Sequence, residues 1–251
     1  MKNKVIAIVP AAGLGKRFGQ GSNKPFQTLK GKPLLVWSLE IFEAIDEIVE
    51  IIPVLKEEER ESGQKVFEDY NLSKIKRIAP GGKERQDSVY NGLKLIEDKK
   101  CIVLIHDGAR PLIEKHLIQE AIKELSIPSA PFFIKGSDEG LNDCDGVVLG
   151  VPLKDTIKEA EAGIIKKTLR RDSLWAIQTP QVFPHNIILR AYKKAIKENF
   201  FSTDDAALVE RYGGKIKVIM GSYKNIKLTT PEDLAIAEFL LSKKGLKETP
   251  L

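Results

Sequence analysis

A short apolar run, Val5 to Val9, leads straight into Pro10-Ala11-Ala12-Gly13-Leu14-Gly15-Lys16-Arg17-Phe18-Gly19. Small residues at such a turn let the backbone come close to phosphate oxygens, amide N–H groups can converge on them, and Lys16 and Arg17 add positive charge. The segment is not a Walker loop, since the Gly-Lys-Ser/Thr ending is missing, and it departs from the dinucleotide fingerprint where Phe18 takes the place of the third glycine. A plain tight β-to-α turn would use the same residues. Lys24, in the loop Ser22-Asn23-Lys24-Pro25-Phe26, is placed to reach back to the same phosphates.

Gly81-Gly82-Lys83-Glu84-Arg85-Gln86-Asp87-Ser88 forms a second turn running into a helix. Loops at the carboxyl ends of strands in an open α/β sheet meet in one crevice, so Gly82 amides, Arg85 and Ser88 are candidates for a base edge or a phosphate. An N-terminal cap with an ordinary helix ion pair is the competing reading. His106-Asp107-Gly108-Ala109-Arg110-Pro111 closes another apolar strand. There Asp107 offers a hard oxygen to a magnesium ion bridging triphosphate oxygens, and Arg110 offers a fork to an anion. His106 reads as a packed, hydrogen-bonded histidine. Thr179 is expected in a turn after the apolar run 174–177, its hydroxyl turned either to phosphate or to its own backbone. Lys227, between a strand and a helix, suits an anion, whereas Glu232 and Asp233 read as first-turn caps.

The elements that must position these residues follow from periodicity. Apolar runs predict strands at 4–9, 47–54, 75–79, 101–106, 146–151 and 217–220. Helical spacing predicts helices at 34–44, 57–70, 85–97, 115–125, 185–198 and 203–212, and a last one opening at Pro231. This alternation is that of an α/β fold with a mostly parallel sheet flanked by helices, and 251 residues suit one domain spanning 1–251. Residues 153–175 break the pattern and read as a long hairpin. Such a ribbon is marginal in water, so it packs on its own domain or clasps a second copy. The stretch 127–145, rich in Pro, Gly, Ser and Asp, reads as a loop.

Composition narrows the classes. With 42% hydrophobic and 30% charged residues the chain can bury a core without disulfides, and its two cysteines, Cys101 and Cys144, suit a reducing compartment and a cytoplasmic address. No apolar stretch approaches membrane length and no signal-peptide pattern opens the chain. The net charge of +5 is spread among glutamates, as in Lys56-Glu57-Glu58-Glu59-Arg60, and reads as solvated surface. Aromatics are only 7% and scattered, which argues against a nucleic-acid-binding module.

Five segments in register resemble the 2-C-methyl-D-erythritol 4-phosphate cytidylyltransferase family of the non-mevalonate isoprenoid pathway. They are Ala-Ala-Gly-Leu-Gly-Lys-Arg at 11–17, Gly-Gly-Lys-Glu-Arg-Gln-Asp-Ser-Val at 81–89, His-Asp-Gly-Ala-Arg-Pro at 106–111, Gln-Thr-Pro-Gln at 178–181 and Asn-Ile-Lys-Leu-Thr-Thr-Pro-Glu-Asp at 225–233. The resemblance implies a Rossmann-like nucleotidyltransferase that joins CTP to a polyol phosphate with Mg²⁺, and a homodimer completed by the 153–175 arm. By the same resemblance Arg17 and Lys24 match the basic residues at the triphosphate, with Lys227 beside them. Ala11, Ala12, Gly13, Gly82, Asp87 and Ser88 match the cytidine pocket, and Asp107 matches the acid near ribose and magnesium. Arg110, Thr179 and Lys227 match contacts to the polyol phosphate, with Thr156 and Arg171 reaching it from a neighbouring arm. The chain departs from the family pattern at Lys24-Pro25-Phe26, in place of Lys-Gln-Phe/Tyr, and in the length of 127–145. Ribitol 5-phosphate is the alternative acceptor.

Overall fold

A computed structural model describes residues 4–13, 26–125 and 144–243. Arg17, Lys24 and nearly all of the expected loop 127–145 lie outside the described residues. In chain order the elements are β1 (Val5–Pro10), β2 (Thr28–Leu29), β3 (Lys32–Pro33), α1 (Leu34–Glu43), β4 (Ile48–Leu55), α2 (Arg60–Asp69), β5 (Ala79–Pro80), α3 (Arg85–Leu95) and β6 (Ile102–Ile105). There follow α4 (Lys115–Glu124), β7 (Gly146–Pro152), β8 (Lys158–Glu161), β9 (Ile164–Thr168), β10 (Trp175–Pro184), α5 (His185–Lys197), α6 (Asp205–Arg211), β11 (Ile216–Met220) and α7 (Pro231–Ser242).

Among the described residues the central sheet has seven strands in the order β11-β7-β10-β6-β1-β4-β5. All neighbours pair in parallel except β10, which runs antiparallel to both β6 and β7. Strand alternation sends Val5, Ala7 and Val9 to one face and Ile6 and Ile8 to the other. The first set packs with Leu35, Leu39 and Phe42 of α1 and Ile118 and Ala121 of α4, and the second with Val89 and Leu93 of α3 and Ile188, Ala191 and Ala195 of α5. A sheet covered on both faces needs apolar residues at every position of its central strands, and β1 reads that way. Each fully buried aliphatic side chain contributes about 1.5–3 kcal/mol, which anchors the strand ends that carry the turns. Gly92 brings α3 against β1, because a Cβ there would stand 2.8 Å from Ile8 Cγ2.

Two expectations need correction. Thr179 lies in strand β10 and not in a turn: the pairing jumps from Gln178 opposite Leu149 to Gln181 opposite Val148, so Thr179 and Pro180 form a bulge. Pro180 has no N–H to give a ladder and a bulge asks for none, so a segment whose composition spells a turn continues the strand. The strand expected at 75–79 shrinks to Ala79–Pro80 with one bridge from Ile75 to Ile51.

The 153–175 segment forms the expected hairpin. β8 and β9 pair antiparallel around Ala162 and Gly163, whose φ angles of 49° and 80° are the positive pair of a two-residue I′-type connection. Ile164 and Ile165 are 69% and 60% exposed on it. No helix among the described residues is long and apolar enough to cross a membrane.

Candidate active site

The carboxyl ends of β1, β4, β5 and β6 open on one cavity of about 590 Å³. Pro10, Ala12 and Gly13 line it from β1, and Lys56, Glu57 and Glu58 from β4. The turn after β5 contributes Gly81, Gly82, Lys83, Glu84, Arg85 and Ser88, the turn after β6 contributes Asp107 and Ala109, and Lys227 to Thr229 close the wall. The three turns bearing Gly13, Gly82 and Asp107 therefore face one another. Crevices of open α/β sheets arise this way, because parallel strands deliver their following loops to the same edge.

Asp107 forms the charged floor. Its Oδ1 accepts Arg85 Nε at 2.8 Å, and Oδ2 lies 2.7 Å from Lys227 Nζ. Burial alone would push its carboxyl up, but the two cations outweigh that and hold it well below the usual carboxylate range. Asp107 is thus ionised at any neutral pH. Arg85 turns its other two nitrogens on Asp205, Nη1 to Oδ1 at 3.0 Å and Nη2 to Oδ2 at 2.8 Å. Burial opposes the guanidinium's charge, yet Asp205 and Asp107 more than compensate and keep it protonated. The Tyr192 hydroxyl donates to Asp205 Oδ1, and burial followed by the Asp205 charge raises that phenol well above its ordinary value.

The segment 178–181 brackets the floor. Asp107 N–H donates to Thr179 Oγ1 at 3.0 Å, and Thr179 Oγ1 bonds His106 Nδ1 at 3.1 Å. His106 Nε2 lies 3.0 Å from the Arg110 carbonyl, so Nε2 carries the ring proton and the threonine hydroxyl donates to Nδ1. Burial pushes the His106 pKa down to about 4, and the ring is neutral. Gln178 Nε2 donates to the Ser222 carbonyl at 2.8 Å, while Asn225 Nδ2 donates to the Thr179 carbonyl at 2.9 Å, tying the segment that carries Lys227. Gln181 reaches the other way: its Nε2 donates to Asp204 Oδ2 at 2.8 Å and its Oε1 accepts Ala206 N–H at 2.9 Å. One bulged strand thus sets three partners of the floor.

Of the residues singled out from sequence, Ala12, Gly13, Gly82, Ser88, Asp107 and Lys227 line the cavity. The amides of Ala11 and Ala12 donate to Val54 O at 2.9 and 3.0 Å, so these residues contribute smallness and not ligand-facing donors. Gly82 N–H likewise donates to Ser88 Oγ at 2.9 Å, whose hydroxyl in turn donates to the Glu84 carbonyl at 3.1 Å. A side chain at Gly82 would place its Cβ 2.2 Å from Asp87 Cβ. Asp87 lies outside the cavity and accepts Glu84 N–H at 3.0 Å, which favours the capping reading for it. Arg85 also lines the cavity, but each of its three nitrogens is bonded to a carboxylate, which favours the ion-pair reading for it over a base edge.

Arg110 does not line the cavity; its Nη1 donates to the Asn225 carbonyl at 2.6 Å, while its buried Nε has no partner among the described residues. Burial first, with Arg85 adding repulsion, lowers its pKa against the pull of Asp107. The Thr179 hydroxyl donates to His106 Nδ1, and the residue does not line the cavity. Thr156 and Arg171 are exposed on the arm and do not reach the cavity of their own chain. Asp233 caps α7, its Oδ2 accepting the amides of Thr229 and Thr230 at 2.7 and 2.8 Å, as its place in the first turn predicts.

Sequence reasoning missed Asp205 and Tyr192, and it read Lys56-Glu57-Glu58-Glu59 as solvated charge. The first three line the cavity, and Glu59 is 6% exposed, accepting Lys56 N–H at 3.2 Å. The position of the run just after β4 was the available signal. Toward magnesium these residues offer one ionised carboxylate, at the floor; among the described residues there is no group of three or more His, Cys, Asp or Glu side chains that could hold a metal ion. Mg²⁺ takes one or two protein carboxylates and completes its shell with phosphate oxygens and water.

A family model described as 2-C-methyl-D-erythritol 4-phosphate cytidylyltransferase matches residues 5–243. A protein of that name from Caldanaerobacter subterraneus is 47% identical over 242 residues, 95% of this chain and 99% of the relative. One from Clostridioides difficile is 46% identical over 239 residues, covering 94% and 92%. The crystal structure of 4-diphosphocytidyl-2C-methyl-D-erythritol synthase from Anaerococcus prevotii superposes with a TM-score of 0.79 at 30% identity, covering 96% of this chain and 97% of that one.

Proposed function

This chain belongs to the 2-C-methyl-D-erythritol 4-phosphate cytidylyltransferase family, and from that premise we propose how its cavity works. The reaction joins CTP and 2-C-methyl-D-erythritol 4-phosphate into 4-diphosphocytidyl-2-C-methyl-D-erythritol, releasing pyrophosphate, in the isoprenoid pathway. An oxygen of the acceptor phosphate bonds to the α-phosphorus of CTP in line, and the bond from that phosphorus to the β-phosphate oxygen breaks. Both reactants are anions, so bringing them together is the main barrier, and no covalent enzyme intermediate is required.

The glycine and alanine turns admit the nucleotide closely, and Asp107 meets its ribose and magnesium. Magnesium, when bound, neutralises triphosphate charge and stabilises the leaving pyrophosphate. Lys227, standing on Asp107 at the cavity wall, is positioned to transfer to a phosphate oxygen as charge builds there. Arg17 and Lys24 are assigned the triphosphate by their match to the family's basic residues. Arg110, which does not line the cavity itself, is assigned the acceptor phosphate by its match to the family pattern. Thr156 and Arg171, exposed on the arm, serve the cavity of a second copy, so the working form is a homodimer. Supporting this is the arm's exposed Ile164 and Ile165, which a two-stranded ribbon cannot cover alone.

The observation that carries the reading is the convergence of the Gly13, Gly82 and Asp107 turns on one cavity with an ionised carboxylate at its floor. The test is pyrophosphate release with CTP and Mg²⁺ against methylerythritol phosphate, ribitol 5-phosphate and no acceptor. Release is expected with the first alone; release confined to ribitol 5-phosphate would overturn the acceptor assignment.

A further inference from the structure

We propose that Asp205 and Tyr192, neither of which lines the cavity, are positioning residues for cytidylyl transfer: they fix the guanidinium of Arg85 and, through it, the rotation of the Asp107 carboxylate. This rests on the reading of Asp107 as the acid that meets ribose and magnesium.

Arg85 carries its donors in a rigid plane. Two of them fork onto Asp205 at 3.0 and 2.8 Å, leaving Nε alone to face Asp107 at 2.8 Å. A bidentate fork sets the plane of the guanidinium, which a single contact would not. Asp205 is itself fully buried and held on several sides. The Tyr192 hydroxyl donates to the same Oδ1 that takes Arg85 Nη1, and the Tyr192 ring stacks on Tyr90 of α3 at 6.2 Å, the helix that bears Arg85. Its backbone is fixed by the first turn of α6, where Asp204 accepts Ala207 N–H at 3.0 Å and Gln181 grips both Asp204 and Ala206. A buried ion pair is weak evidence for stability, since apolar residues of similar volume serve a core as well. Orientation is what this one supplies.

The two cations on Asp107 differ in freedom. Lys227 is 36% exposed on a flexible stem, whereas Arg85 is held to a carboxylate through each of its three nitrogens. When an anionic ligand enters, Lys227 can move to it and release Oδ2, while Oδ1 stays pinned. Without Asp205, both Nη nitrogens of Arg85 would be unheld beside a triphosphate and would draw it away from Asp107.

The test compares Asp205→Asn, Tyr192→Phe, Arg85→Lys, Asp107→Asn and the double Arg85→Lys/Asp205→Asn, reading kcat and KM for CTP by pyrophosphate release and folding by thermal melting. Asp205→Asn is expected to lower kcat about tenfold or more with KM for CTP changed by less than about threefold, a split that folding damage alone would not produce. Tyr192→Phe, which removes a hydroxyl and keeps the ring, is expected to lower kcat about threefold. The double variant should be no slower than Arg85→Lys alone, because both changes break one link. Parental kcat in Asp205→Asn, or in Tyr192→Phe should the former not fold, alongside an impaired Asp107→Asn, overturns the proposal. So do losses that multiply in the double variant. Parental kcat in Asp107→Asn would instead sink the reading of the site, and this inference with it.

Discussion

Lys227 Nζ lies 2.7 Å from a carboxylate whose other oxygen is already held by Arg85, so removing the lysine leaves Asp107 charged, paired and folded. What goes is the mobile cation. Lys227→Ala is expected to lower turnover by roughly 10²–10³, the range for losing one group aimed at transition-state charge, with little change in melting temperature. Pyrophosphate release and calorimetry on the same preparation check both halves. His106 gives a prediction about pH. Burial holds its folded pKa at about 4, below the ordinary value of about 6.5, so its contribution to stability is complete above pH 6.5 and is lost as pH falls through 4. The loss is on the order of 3 kcal/mol, and urea titrations of the metal-free protein should show it as a slope that flattens in His106→Gln. Asp107 was legible in the sequence because an acid ending an apolar strand has few other uses. Asp205 was not: beside Asp204 it looks like one more helix-opening acid, and its partner Arg85 lies 120 residues away in the chain.

Helices and central strands follow closely from periodicity because two apolar faces leave little freedom of assignment: α7 begins at the expected Pro231, and α1 and α5 end within a residue of their predicted ends. Strand β10 escaped because its pairing is decided by Gln178, Thr179 and Gln181, whose side chains bond other loops while the backbone continues the sheet. Composition registers their polarity; only the tertiary partners explain it. The turn after β5 shows the opposite case, where a local glycine was read correctly and its purpose was not. Gly82 was expected to offer an amide to the ligand, but the amide is spent on Ser88, and the missing side chain is what matters. Gly82→Ala would press a methyl against Asp87 Cβ at 2.2 Å and against the Asp87 and Ser88 backbone at 2.9 Å, so the turn must open. The expected cost is roughly 1–3 kcal/mol of stability together with a raised KM for CTP. A parental KM would show that the turn's shape is not read by the nucleotide.

At the scale of the whole molecule, the arm is the part that its own chain does not explain. Ile164 and Ile165 stand 69% and 60% exposed on a hairpin whose cross-strand pairs, Lys166 with Glu161 and Lys167 with Glu159, are surface ion pairs of small worth. Two-stranded ribbons of this kind are marginal without a partner, and the arm also carries Thr156 and Arg171, which do not line the cavity described above. The proposed second copy would answer both facts in one arrangement, since an isologous exchange would bury each arm and bring each Arg171 to the other's site. Replacing Ile164 and Ile165 by lysine adds two charges where the partner must pack while leaving the cavity, the sheet and α3 untouched. The double variant is expected to sediment at the monomer mass where the parent sediments at twice it. Its melting temperature should fall only modestly, because neither isoleucine contributes to the core. Its KM for the acceptor phosphate should rise far more than its KM for CTP, because in the proposed dimer the nucleotide's turns all belong to one chain while Arg171 comes from the other. A monomeric variant with a parental KM for both substrates would detach the arm from catalysis, and a parent that sediments as a monomer would detach it from assembly.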